Sequence, residues 1–104
     1  MRKLTKLTVL GLLTAGPVAA ATAEDHYEYL HKKCGPSLKM KESGCDCIIK
    51  AARRDLSADE LEMVVLYVKQ DKPGIKKKQG ELTGNQTLKA RKFVEEAPRA
   101  CRGK

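Results

Sequence analysis

Four cysteines, Cys34, Cys45, Cys47 and Cys101, carry most of the reactive chemistry that this sequence can offer. Closely spaced thiols such as Cys45 and Cys47 bind metal or exchange disulfides. A redox pair more typically has two intervening residues, however, and here two distant cysteines stand ready to consume both thiols as structural bridges. On a helix, positions two apart point roughly 200° away from each other, so a bond between Cys45 and Cys47 would be strained. Two pairings remain: Cys34 joins one of Cys45 or Cys47, and Cys101 joins the other. Either one ties the C-terminal end to the second helix and closes a loop of about 55 residues, worth on the order of 4 kcal/mol in chain entropy.

Other side chains form no catalytic pattern. His26 and His31 lie five apart, so on a helix they diverge by about 140° and do not chelate one ion from a common face; each is expected in solvent. No nucleophile elbow surrounds Ser37, Ser43 or Ser57, so a histidine-dependent triad has no support. Glu95 and Glu96 are adjacent rather than one turn apart, and no aspartate-rich loop has calcium spacing. Asn85, Gln86 and Thr87 form a glycosylation sequon, which matters only after eukaryotic secretion and is better read as part of a helix start. The expectation is a protein with no catalytic residue, no cofactor and no metal.

The elements that position the cysteines follow a leader. Arg2, Lys3 and Lys6 precede an apolar run from Leu7 to about Ala21, and small residues come before a polar switch; this is the three-part pattern of a cleaved secretory signal peptide. Cleavage after Ala23 would use Ala21 and Ala23 as the small residues, while Val18 and Ala20 offer a second junction three residues earlier. The run is too short, and too interrupted by Gly16 and Pro17, for a membrane anchor. Residues 1–23 are thus expected to be removed and 24–104 to form one basic, disulfide-bonded domain in the periplasm or outside the cell.

That domain is expected to be all-α, with four helices. Tyr27, Leu30 and Cys34 make one apolar stripe that Gly35 and Pro36 would stop, with a loop over 37–44. A second helix would start near Ser43, with Asp46 completing a capping box, and run to about Leu56. The third has the clearest start: Ser57 as N-cap, Glu60 three residues on, and Leu56 with Leu61 as a hydrophobic staple. Leu61, Val64, Val65 and Val68 then share a face, against a competing strand reading of the β-branched run. Residues 71–84, with Pro73, three glycines and Lys76 to Lys78, read as a long solvated loop. A last helix would begin around Thr83 to Thr87 and turn Leu88, Phe93, Val94 and Ala97 inward. Pro98 would then kink or end it, leaving Cys101 on a tail or final turn.

Charge suggests the mode of action. The chain is net +8; with three basic residues removed in the leader, 18 basic side chains face 13 acidic ones, a net +5. Export removes nucleic acid as the default partner and leaves a protein or an anionic envelope component. Lys76, Lys77, Lys78, Lys89, Arg91 and Lys92 make the C-terminal half the more positive and are the expected contact surface. The leading expectation is therefore a non-enzymatic exported binding protein without stable membrane insertion.

Two alternatives are set beside it. In size, basic tendency and disulfide bonding the chain is similar to small exported acid chaperones of the HdeA type, although it has four cysteines where that type has two and lacks tryptophan. That resemblance implies a holdase acting under acid or envelope stress. The other alternative is membrane activity of the basic last helix, which Glu81, Glu95 and Glu96 dilute.

Overall fold

The computed structural model describes residues 22–103; the leader pattern in 1–21 lies outside the described residues. Among the described residues there are five helices and no strand: α1 (Ala23–Leu38), α2 (Glu42–Asp55), α3 (Ala58–Lys69), α4 (Lys72–Gln79) and α5 (Gly84–Cys101). The all-α expectation holds, and the β-branched run of α3 is helical. The count of four does not stand, because 71–84 contains a helix.

Three of the starts are capping boxes, in which a side chain and a backbone amide satisfy each other's otherwise orphaned groups. In α1 the Thr22 amide donates to Asp25 Oδ2 at 3.0 Å, and the Asp25 amide donates to Thr22 Oγ1 at 3.2 Å. Ser57 and Glu60 do the same for α3, as the sequence indicates. Thr83 and Gln86 do it for α5, so the middle residue of the sequon is a capping residue. The box expected at Ser43 and Asp46 does not form: α2 starts at Glu42, Lys41 is its N-cap, and that end has no side-chain cap.

Among the described residues, Pro36 and Pro73 are absorbed differently from the expectation, whereas Pro98 leaves Cys101 on the final turn of its helix as expected. Pro36 lies inside α1, which continues to Leu38 and ends on Lys39 in the left-handed region (φ 54°). A proline in the last turn removes only one helical hydrogen bond, a loss a packed helix tolerates. Pro98 likewise sits within α5, which runs on to Cys101. Pro73 acts the other way: it occupies the first turn of α4, where its missing amide would have had no partner, and Asp71 caps the helix by accepting from the Gly74 amide at 3.0 Å. The segment's glycines and lysines obscured this Asp–x–Pro start.

The core is built where these helices meet. Leu30, Ala52, Leu56, Leu61, Met63, Val64, Val65 and Ala90 form one buried cluster, joining α1, α2, α3 and α5. Leu56 and Leu61 both fall in it, as the staple requires. A second cluster holds Cys34, Cys45, Ile48 and Cys101. Leu88, expected inward, is instead 45% exposed; the buried stripe of α5 is Ala90, Ala97 and Cys101, with Phe93 and Val94 at its edges. Gly44 is buried on α2, where an added Cβ would lie 3.3 Å from the Cys101 carbonyl oxygen. Its missing side chain lets the end of α5 approach.

Candidate functional site

The two disulfides resolve the pairing that the sequence left open: Cys34 is bonded to Cys45, and Cys47 to Cys101. The Cα separations, 5.7 and 5.6 Å, lie in the usual range for such bonds. Cys45 and Cys47 diverge on α2 as expected, one reaching α1 and the other α5. All four thiols are thereby consumed. The α2 start, which has no side-chain cap, is held covalently to the helices on both sides.

The six basic residues expected to form a contact surface divide into three groups. Lys76 and Lys77 are exposed on α4. Lys78 is not available: its side chain is only 9% exposed, with Nζ at 2.9 Å from Glu62 Oε1, 3.0 Å from Asp59 Oδ1 and 3.4 Å from Glu81 Oε1. Hydrogen bonding to Glu62 outweighs desolvation and holds the ammonium well above the ordinary lysine value. The lysine therefore fastens α4 to α3, and it explains how a helix with little apolar surface stays docked.

Lys89, Arg91 and Lys92 are exposed on α5. Lys89 lies 3.6 Å from Glu60, whereas Arg91 and Lys92 have no carboxylate within ion-pair distance among the described residues. Lys89 and Lys92 line an open groove of about 530 Å³ between the end of α2 and α5 together with the carboxylates of Asp55 and Glu96, and Leu56, Leu88 and Phe93 are its apolar part. Arg54 lines the same groove but is engaged with Asp55 at 2.9 Å. Sequence reasoning missed this groove because it placed Leu88 in the core.

Two further arrangements were not legible in the sequence. His31 Nε2 lies 2.8 Å from Asp46 Oδ1, and with Glu42 these residues place one ligand atom each within 4.8 Å of one another. The Cys34–Cys45 bond sets this register, since His31 is one turn before Cys34 and Glu42 and Asp46 flank Cys45. The set offers one imidazole and two carboxylates to a divalent cation, but it is open to water and the His31–Asp46 hydrogen bond already accounts for its closeness. Nearby, Arg53 holds Glu24 with two hydrogen bonds at 2.8 and 3.1 Å and stacks over Tyr27 at 4.2 Å from the ring centre. The hydrogen bonds from Arg53 hold the Glu24 carboxyl below its ordinary value.

The fold and site define a small all-helical domain closed by two disulfides, a construction suited to compartments where thiols are oxidised. No described helix is long and apolar enough to cross a membrane. No family model, no curated protein and no solved structure matches the chain.

Proposed function

We propose that this protein is an exported, non-enzymatic binding protein that engages an anionic partner, a protein or an envelope polymer, along α5. One observation carries the proposal: Leu88, the large apolar side chain left exposed among the described residues, lines a groove with Lys89 and Lys92. An apolar contact flanked by cations suits a partner that presents negative charge beside apolar surface. Lys92 enters such a contact without first breaking an ion pair, and Arg91, also unpaired among the described residues, lies next to it on α5 outside the groove lining. With its four cysteines bonded, the domain has no thiol for nucleophilic or exchange chemistry, which supports binding over catalysis.

The test is titration of the disulfide-intact protein with anionic-phospholipid vesicles, an acidic polysaccharide and an acidic protein, at low and physiological salt. Binding to one of these should weaken as salt rises, and R91E/K92E should weaken it about tenfold or more, roughly 1.4 kcal/mol. L88S should weaken it without changing the salt dependence. If all three polyanions fail to bind at low salt, or R91E/K92E binds as the parent does, the reading is wrong.

A further inference from the structure

The two disulfides differ in what can reach them. Cys34 and Cys45 are each 3% exposed and Cys101 is 2% exposed, whereas Cys47 is the one bonded cysteine that is only partly buried. Both halves of the Cys47–Cys101 bond also line one open groove of about 760 Å³ between α2 and α5. Ala51, Ala97 and Ala100 line it too and leave it wide. Its charges nearly cancel, Lys50 and Arg54 being offset by Asp46, Asp55 and Glu96, so reach rather than charge selects what enters. Cys34 borders a smaller cavity, of about 250 Å³, without its partner Cys45.

From this we infer that the Cys47–Cys101 bond is a site of thiol–disulfide exchange, with Cys47 Sγ attacked by a small external monothiol while Cys34–Cys45 stays closed. The chain supplies the disulfide and not the thiol. Exchange requires the thiolate to reach the sulfur it attacks, and Cys101 is the buried partner. The helix dipoles favour the opposite choice, since a thiolate leaves more readily near the start of α2 than at the end of α5. That preference is worth about fivefold at most and fades beyond the first turn, whereas a sulfur that no thiol reaches does not react.

The thiolate forms a new S–S bond to Cys47, the Cys47–Cys101 bond breaks, and its electron pair leaves on Cys101 Sγ, which takes a proton from water. A second thiolate attacks the monothiol sulfur of the adduct and releases Cys47 as a thiolate. Two external thiols have then become one disulfide, and the protein bond has gained two electrons. The end of α5 is freed from α2, while α1 and α2 remain joined through Cys34–Cys45. Leu88, Lys89 and Lys92 do not line this groove, so the inference does not rest on the polyanion reading above.

Glutathione is the probe, applied to the disulfide-intact protein in native buffer at about pH 8, where a small thiol is partly ionised. Samples are quenched with excess N-ethylmaleimide and cut before aspartate. Fragment 46–54 should carry glutathione and fragment 71–104 the maleimide, with 25–45 keeping its internal disulfide. Loss of Cys47–Cys101 should outpace loss of Cys34–Cys45 at least about tenfold. It should also rise in proportion to glutathione, because reduction through global unfolding would level off at the unfolding rate.

Ala100 is exposed and lines the groove. Ala100→Phe should slow the reaction at least about threefold in native buffer by restricting access and leave it unchanged in concentrated urea. The inference is overturned if no adduct forms, if glutathione appears first on fragment 71–104, or if both bonds disappear together. It is equally overturned if the rate stops rising with glutathione, or if Ala100→Phe reacts at or above the parental rate.

Discussion

Cys101, the last residue of α5, is bonded to Cys47 in the second turn of α2, so two residues 54 positions apart hold their Cα atoms 5.6 Å from each other. Cys34 and Cys45, bonded across α1 and α2, are 11 apart. The two covalent loops do not overlap in sequence, and their contributions should be separable.

Digestion of the unreduced protein with an endoprotease that cuts before aspartate tests the pairing, because Asp46 stands between the two close cysteines. Fragment 25–45 should appear by itself with an internal disulfide, and fragment 46–54 should be linked to 71–104. The opposite pairing would leave all three fragments joined, a mass that distinguishes it at once.

Removal of each bond should cost stability in proportion to the loop it closes. Chain entropy gives about 4 kcal/mol for the long loop and about 3 kcal/mol for the short one. Urea unfolding of C47A/C101A and C34A/C45A should therefore show the larger loss in the first. A larger loss from the short loop would mean that packing around Cys34 and Cys45, not loop closure, dominates.

Lys78→Met should destabilise the protein by about 1–3 kcal/mol near neutral pH, by leaving three neighbouring carboxylates without their common cation. The pH dependence has a definite sign. The folded value of Lys78 is raised above the ordinary 10.5, so its contribution is complete below that pH and disappears as pH climbs above it. The gap between parent and variant should accordingly close in strongly alkaline urea titrations, and a constant gap would contradict the ion-pair account.

The legible and illegible parts of this fold separate by the range of the interactions. Ser57 with Glu60, Leu56 with Leu61, and the stripe through Leu61, Val64 and Val65 are encoded within a few residues, and α3 is where the sequence said it would be. Helix α4 was hidden because its inward anchor is a lysine, whose burial depends on Asp59 and Glu62 of another helix. Leu88 was misplaced for the same kind of reason: either face of α5 has apolar residues, and only the Cys47–Cys101 bond and the position of Ala90 decide which turns inward. His31 beside Asp46 exists only through packing between helices.

The Thr22 amide and hydroxyl, hydrogen-bonded to Asp25, hold its carboxyl below the ordinary 3.8. A carboxylate that titrates lower when folded stabilises above its unfolded value, and loses that contribution as pH falls through the folded one. NMR titration should show Asp25 moving back towards 3.8 in Thr22→Ala. A chain begun at Glu24, the product of cleavage after Ala23, should behave likewise, whereas one begun at Ala21 keeps the box. If Asp25 titrates identically in all forms, the capping box does not exist in solution.

The bonds at Cys45 and Cys47 also create a mechanical bypass. Tension applied between residues 22 and 103 would run from Cys34 to Cys45, across Asp46, and from Cys47 straight to Cys101. Residues 48–100 would carry none of it, so α3 and α4 would feel no pull while the bonds last. Under a reductant the same stretch would lengthen by on the order of 200 Å, and the molecule would pass from nearly inextensible to an ordinary unfolding chain.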